Sequence, residues 1–381
     1  RFIEVNFIEN RDVMEIKTFT VADLKTALVS EDFWLTKTLP ITKHRALSYC
    51  RNPRAEEDDP VLLVAYQDIQ VIGYLGILPD KIFVNDAVYK LGWLTSWWVD
   101  PSCATAGVGA ILLFKALNAY DQYIGVSGVS RMARKALHAS QKFMALKPLQ
   151  GLDIRLRVNV TRDILRRLPT LKIFRVLFKI FDVMMDEVVN LRSFFWQQRN
   201  NSGQRLTFEY ISTIDEETDH FIQQHQQYDL TRKEKSVLSW IMNYPWILSA
   251  PLKDAASKKY YFSARADRFS YLGVKVFEHN TEMTGFFLLK LRNDRMSVVY
   301  SYFESGNAAS ITAAAVQHAL AMDVSILSLY DEQLVTSFSG LGCPCWSANK
   351  NSRGFSLSKA FGDILPETFR LQGGDGDLVF Y

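Results

Sequence analysis

The chain has 381 residues, 48% hydrophobic and 13% aromatic, with a formal net charge of +3. That length suits one to three domains with sizeable cores, and the near-balanced charge gives no global case for a nucleic-acid partner. Four cysteines, Cys50, Cys103, Cys343 and Cys345, are too few for a disulfide framework, and they point to a reducing, cytoplasmic compartment. The Cys343-Pro344-Cys345 pair lacks a second ligand pair at zinc spacing, so no metal is expected. The opening RFIEVNFIEN has no basic region followed by an apolar core. No run of about 18 uncharged apolar residues marks a transmembrane span.

In chain order, residues 15–19 read as a strand and 21–29 as a helix. Residues 32–49 are helical in parts and break at Pro40, and 52–60 form an acidic loop with a proline near each end. A dense β region follows. Strands 61–66 and 71–78 flank a polar turn, and strands 81–84 and 87–99 flank Asn85-Asp86, which gives two hairpin signals. Residues 123–126 read as a strand and 130–146 as a helix stopped by Pro148. Residues 152–157 alternate like a strand. After a helical stretch, 206–211 read as a strand, 215–226 and 233–242 as helices, and 260–264, 271–277, 283–291 and 296–303 as strands. A helix over 308–322, a strand over 324–330 and a helix over 331–338 close the order. The tripeptide Tyr-Leu-Gly occurs at 74–76 and again at 271–273. Two halves with one element order predict an internal duplication of a unit of roughly 170 residues.

The stretch that organises the chain is 92–117, GWLTSWWVDPSCATAGVGAILLFKAL. Its aromatic and β-branched start is a buried strand, and Pro101 ends that strand. A loop of small residues with Gly107 and Gly109 then opens into apolar helical spacing at Ile111, Leu112, Leu113 and Leu117. A strand that passes through glycines into a helix start aims bare N–H groups and the positive end of a helix dipole at one point. The pattern fits a phosphate cradle, and equally a tight turn.

This order, with a Val-Asp-Pro strand end and a Gly-x-Gly loop, resembles the GCN5-related N-acetyltransferase (GNAT) superfamily. In that family the strand before the loop offers its backbone to the pantetheine arm of acetyl-CoA, and the loop amides hold the pyrophosphate. The family loop Arg/Gln-x-x-Gly-x-Gly/Ala falls here on Ala104-Thr105-Ala106-Gly107-Val108-Gly109, with Ala104 in place of Arg or Gln. The resemblance implies a cosubstrate acetyl-CoA, or another acyl-CoA, held by Trp98, Val99, Gly107, Val108, Gly109 and Ala110. It also implies that the strands beside Gly107 splay apart. A second family segment places a tyrosine, general acid toward the departing thiolate, in the next helix. Here that position holds His138, and a histidine can perform the same transfer; a helix-surface residue with no role fits equally. The equivalent loop of the second half, Glu304-Ser305-Gly306-Asn307-Ala308-Ala309, has one glycine and an acid, so that half is expected to keep the fold and lose the CoA site. Asp100 is read as a loop cap, and Thr95 and Ser96 as strand residues facing opposite sides.

Residues 155–179 carry eight Arg or Lys against the single acid Asp163. From Thr170, a plausible N-cap, Lys172, Arg175, Lys179, Asp182 and Asp186 fall on one narrow helical stripe, and almost everything else is apolar. Such a helix is expected to be buried on several sides. Its charges oppose the helix dipole, so a partner outside the helix must compensate them. Three roles fit residues 170–196: a spine between the halves, a homodimer surface, or a membrane-surface contact. The C-terminal LQGGDGDLVFY reads as a turn before a last strand over 378–381, with Asp375 and Asp377 as residues that could meet a substrate amine.

The resulting expectation is an α+β chain (mixed α/β) of two tandem GNAT-like domains, each a mixed, mostly antiparallel sheet flanked by helices, joined by a long helix. The divisions are 1–150 for acyl-CoA binding, 151–204 for the basic connector and 205–381 for a degenerate second domain. The expected function is acyl-CoA-dependent N-acyl transfer to a small-molecule or other amine acceptor bound between the domains. The alternative is a non-catalytic protein of the same fold that binds a ligand or partner.

Overall fold

In the computed structural model, residues 14–84, 87–103, 107–201, 206–251, 258–278 and 282–381 are described. The first half contains β1 (Met14–Thr20), α1 (Val21–Val29), α2 (Lys43–Cys50), β2 (Pro60–Gln67), β3 (Gln70–Val84), β4 (Ala87–Val99), α3 (Val108–Ala119), β5 (Ile124–Ser127), α4 (Arg131–Ser140) and β6 (Phe143–Ala145). The middle holds β7 (Leu149–Arg155), α5 (Val160–Arg167) and α6 (Arg175–Asn201). The second half contains β8 (Leu206–Ile211), α7 (Glu216–His225), α8 (Lys235–Asn243), β9 (Leu248–Ser249), β10 (Arg265–Ala266), β11 (Phe269–Glu278), β12 (Glu282–Arg292), β13 (Arg295–Phe303), α9 (Ala308–Ala321), β14 (Ile326–Leu329), α10 (Glu332–Phe338), β15 (Ser347–Arg353) and β16 (Phe355–Ser358).

Two seven-stranded sheets result, in the orders β1-β2-β3-β4-β5-β16-β6 and β15-β7-β14-β13-β12-β11-β8. Each has four antiparallel strands, then one parallel step, β4 to β5 and β13 to β14. A parallel neighbour requires a crossover, and α3 and α9 supply it. The duplication is therefore present as topology. The Tyr-Leu-Gly tripeptide does not mark it: residues 74–76 lie in β3, third from its sheet edge, while 271–273 lie in β11, second from its edge.

The halves also exchange strands. β16, from the far end of the chain, pairs antiparallel with β5 and β6, and β7 pairs antiparallel with β14 and β15. Each sheet thus draws on residues from both sides of a boundary at 150. One hydrophobic core runs across both halves, from Leu24, Tyr74 and Trp93 to Trp240, Trp246, Phe286 and Tyr300. A second core lies between α9 and the second sheet, and a third packs Leu112, Leu113, Ala116 and Leu117 of α3 on the first sheet.

Several local expectations are corrected. Residues 71–84 are one strand, because β2 pairs with β3 only as far as Gly76, which leaves no ladder bond for Pro79 to lose. Residues 260–264 form no sheet strand; Tyr260 makes an isolated bridge to Leu39. The helix after β5 stops at Ser140, where Gln141 turns left-handed (φ 54°), and β6 follows. Residues 169–174 form a 3₁₀ turn before α6, and Leu378–Phe380 is a 3₁₀ turn rather than a strand.

The basic, apolar-rich helix is the largest correction. α6 is not enclosed: Val176, Leu177, Val183, Met184, Leu191 and Phe195 are each about 60% exposed or more. Its acidic stripe faces inward instead. Asp182 accepts from the N–H groups of Val160 and Thr161 at 2.7 and 3.1 Å and caps α5. Asp186 pairs with Arg157, which also reaches Asn190 and Asp323. These are the outside partners that the reversed charge order requires.

Candidate functional site

The first sheet opens where β4 leaves β5. The two pair only through Gly92–Ile124, Trp93–Gly125 and Leu94–Val126. Beyond Leu94, β4 continues to Val99 along β3, while β5 ends one residue on at Ser127, paired on its other edge with β16. The same point carries a bulge. Tyr74 faces Trp98 and Gly76 faces Thr95, so Ser96 and Trp97 together oppose Leu75 and β4 carries one extra residue. Ser96 takes a left-handed φ of 48°, a conformation that costs a non-glycine residue about 1 kcal/mol or more. A bulge of this kind re-aims side chains and frees backbone N–H groups.

After β4, Asp100 accepts from the Ser102 hydroxyl at 2.6 Å and the Ser102 N–H at 2.9 Å. These bonds hold its carboxyl below the usual range, and Asp100 is a loop cap as expected. Ala104, Thr105 and Ala106 lie outside the described residues. Gly107 has φ 74° and precedes α3, whose start has no side-chain cap. A Cβ added to Gly107 would meet nothing within 4 Å. Val108 is buried against the first sheet, Ala110 is exposed, and a Cβ on Gly109 would lie 3.5 Å from Trp97 and Val99. The N–H groups of the first turn of α3 are therefore left for an anion, with the helix dipole behind them. Trp98 stacks on Tyr74 with ring centroids 5.2 Å apart.

On the other face of the bulge sits a buried cation. Arg45 of α2 is 2% exposed. Its Nη1 donates to Ser96 Oγ at 2.5 Å, to Tyr260 at 2.8 Å and to the Tyr381 hydroxyl. Its Nη2 donates to Thr95 Oγ1 at 2.7 Å and Tyr49 at 3.2 Å. The guanidinium lies 3.7 Å from the Trp246 ring centroid. Among the described residues no carboxylate pairs with it, although it is always protonated. Ser96 Oγ lies 2.7 Å from the Tyr260 hydroxyl and 2.8 Å from that of Tyr381. Burial raises the titration of both phenols, against the opposing pull of Arg45. At neutral pH they are proton donors. Thr95 and Ser96, expected on opposite sides of a regular strand, reach one cation because the bulge breaks the alternation.

Tyr381 also lines a cavity of about 340 Å³ with Lys290, Arg292, Asn293, Asp294, Arg295, Ser297 and Arg353, four cations against one carboxylate. Lys290 is buried and held well below its usual range by that burial and by Arg353 and Arg292. It donates to the main-chain oxygens of Leu378, at 2.6 Å, and Tyr381. Arg353 lies over Tyr330 and Arg295 pairs with Asp153. Arg292 is half-buried, and burial lowers its titration.

The remaining expected site residues lie elsewhere. His138 is exposed in the last turn of α4. Asp375 and Asp377 are buried and internally bonded. Asp375 accepts from Thr231 at 2.7 Å and from the Gln372 N–H at 2.8 Å, and Asp377 accepts from Ser127 at 2.6 Å. Burial pushes both carboxyls up to about 6. The residues that sequence reasoning missed, Arg45, Tyr49, Tyr260, Tyr381 and the basic cavity, come from five distant segments and share no local spacing.

Strands that part beside a glycine-opened helix are what the resemblance to the GNAT superfamily implied of the fold, and the comparisons with known proteins bear on that fold. Residues 28–146 match the family described as "Acetyltransferase (GNAT) family". Among curated proteins none matches the sequence. A solved structure from Enterococcus faecalis V583, titled a probable N-acyltransferase, aligns over 93% of this chain and 75% of its own at a TM-score of 0.52 and 10% identity. A GCN5-related N-acetyltransferase from Anabaena variabilis aligns over 90% and 72% at 0.47 and 8%. Saccharomyces cerevisiae N-myristoyltransferase with bound myristoyl-CoA aligns over 92% and 84% at 0.49 and 8%.

Proposed function

We propose that this chain is an acyl-CoA-dependent N-acyltransferase whose transfer point is the bulge of β4. The carrying observation is the junction itself: an opening between β4 and β5 meets a bared helix start on one side and a hydroxyl-lined cation on the other. The fit to a CoA thioester rests on the open space at Gly107 and on the uncapped start of α3. Gly107, Val108, Gly109 and Ala110 would hold the pyrophosphate, and Trp98 and Val99 would line the pantetheine arm. When bound, the thioester supplies the activated acyl group.

The protein's own part is threefold. N–H groups of β4 at the bulge polarise the acyl carbonyl. Arg45, permanently charged, disfavours an ammonium beside it, so the acceptor amine arrives neutral. As the C–N bond forms and the C–S bond breaks, the amine gives up one proton to bulk water and the departing thiolate takes one from a donor at the site. His138 on α4 is the candidate general acid, and the Tyr381 hydroxyl is the competing donor. The basic cavity beside Tyr381 selects an acceptor that carries a carboxylate or phosphate. This replaces the acidic recognition expected of Asp375 and Asp377, both of which are internally bonded.

Titration calorimetry with acetyl-CoA tests the first step, and no heat at millimolar ligand removes the enzyme reading in favour of a non-catalytic binding protein of this fold. With binding in hand, His138→Phe should lower turnover roughly 100-fold without weakening CoA. If turnover is unchanged while Tyr381→Phe lowers it, the donor is Tyr381. Arg292→Ala should raise KM for an acidic amine, such as an amino acid, and leave KM for a neutral amino sugar unchanged.

A further inference from the structure

We infer that the exposed face of α6 is a self-association surface, on which a second copy of this chain packs its own α6 antiparallel. Three observations carry this. The first is periodicity. Leu177, Ile180, Met184, Glu187, Leu191 and Phe194 are spaced alternately three and four residues apart, and all are exposed. Phe181, Val188 and Phe195 form a flanking column at intervals of seven. A three-four repeat keeps one seam toward a helical partner that coils gently around it, and the area and charge below separate such a partner from a lipid surface.

The second is area. The ten apolar residues of α6 on this face expose roughly 1,000 Å², about twice the largest patch of a typical monomer and close to one side of a stable interface. The third is charge. Glu187 interrupts the seam, and hydrocarbon would not accommodate it. The seam is self-complementary about Met184. Turned end for end, Leu177 falls level with Leu191 of the second copy, and Glu187 falls near Ile180 and Lys179. Lys179 lies on the same flank as Glu187, and a two-fold axis across the helices brings like flanks together. Each Glu187 then meets Lys179 of the second copy, which also fixes the register.

The proposal is independent of the acyltransferase reading, since it needs no ligand. Sedimentation velocity of the full chain should give twice 43.7 kDa at micromolar concentration. Leu177→Lys with Leu191→Lys should give the single mass, and because both sites are exposed the circular dichroism should not change. Lys179→Glu should weaken the dimer at least tenfold, and adding Glu187→Lys should restore it. Oxidised Met184→Cys should cross-link two chains beyond the level of the unsubstituted chain, while Ile173→Cys should not. Cross-linking through Ile173→Cys would overturn the antiparallel arrangement. A dimer that survives the paired lysines would place the interface elsewhere. A monomer overturns the proposal outright, and if it co-sediments with phosphatidylserine vesicles the face is a membrane contact.

Discussion

Arg45 is an expensive residue to place where it is. A buried guanidinium loses several kcal/mol of hydration, and hydroxyls return less than a carboxylate would. The face of Trp246 at 3.7 Å recovers part of the loss. Replacing the side chain by one of similar volume, Arg45→Met, should therefore leave thermal stability unchanged or raise it, while turnover falls roughly 100-fold. Arg45 is a positioning residue, and its mark is a pH profile: without the cation, the acidic limb of kcat should move to higher pH as the bound acceptor amine regains basicity. A fall in stability equal to the loss of activity would make its role structural. Asp377 gives a second test. Its carboxyl is pushed up to about 6 by burial, so the folded state binds the proton more tightly than the unfolded chain. Stability is then fully kept below about pH 4 and is lost as pH rises to about 6, on the order of 3 kcal/mol. Asp377→Asn, which can still accept from Ser127, should raise Tm above the parent at pH 7 and leave it unchanged near pH 3.5. A constant gain at both pH values would show that Asp377 does not titrate in that window.

At the scale of elements, α3 was legible and α6 was only half so. In α3 Leu112, Leu113, Ala116 and Leu117 lie on one buried face, while Ile111, expected with them, is exposed as is Phe114, so periodicity finds most of the inward face. Its start depends on Gly107 at φ 74°. Gly107→Val should cost about 1–2 kcal/mol of stability from the left-handed backbone alone, and it should abolish acetyl-CoA binding by calorimetry; retained affinity would move the pyrophosphate elsewhere. In α6 nearly every turn is apolar on both sides, so the sequence could locate the helix but not its inward face. That was decided by Asp182 at the start of α5 and by Arg157 on Asp186. The bulge at Ser96 was invisible for a related reason. Residues 92–99 are uniformly aromatic and β-branched, and an extra residue in such a run leaves no mark in composition.

At the scale of the molecule, the halves are bound by exchanged strands and a shared core more than by the helix between them. Without β16 the first sheet would expose the edge of β5, and without β7 the second would expose β14. Residues 14–146 expressed alone should therefore fail to fold or should aggregate, and the whole chain should unfold in one calorimetric transition. Two resolved transitions would mean that the halves are autonomous. The sequence by itself determined the two repeated element orders, the strand–glycine–helix stretch and the family resemblance, because these are written in local periodicity and turn chemistry. Only the tertiary structure decided the strand exchange, the orientation of α6 and the Arg45 cluster. Each depends on residues tens to hundreds of positions apart, such as Arg45, Ser96, Tyr260 and Tyr381. Contacts at that separation are selected by the packing of whole layers, a constraint that no local window of the chain contains.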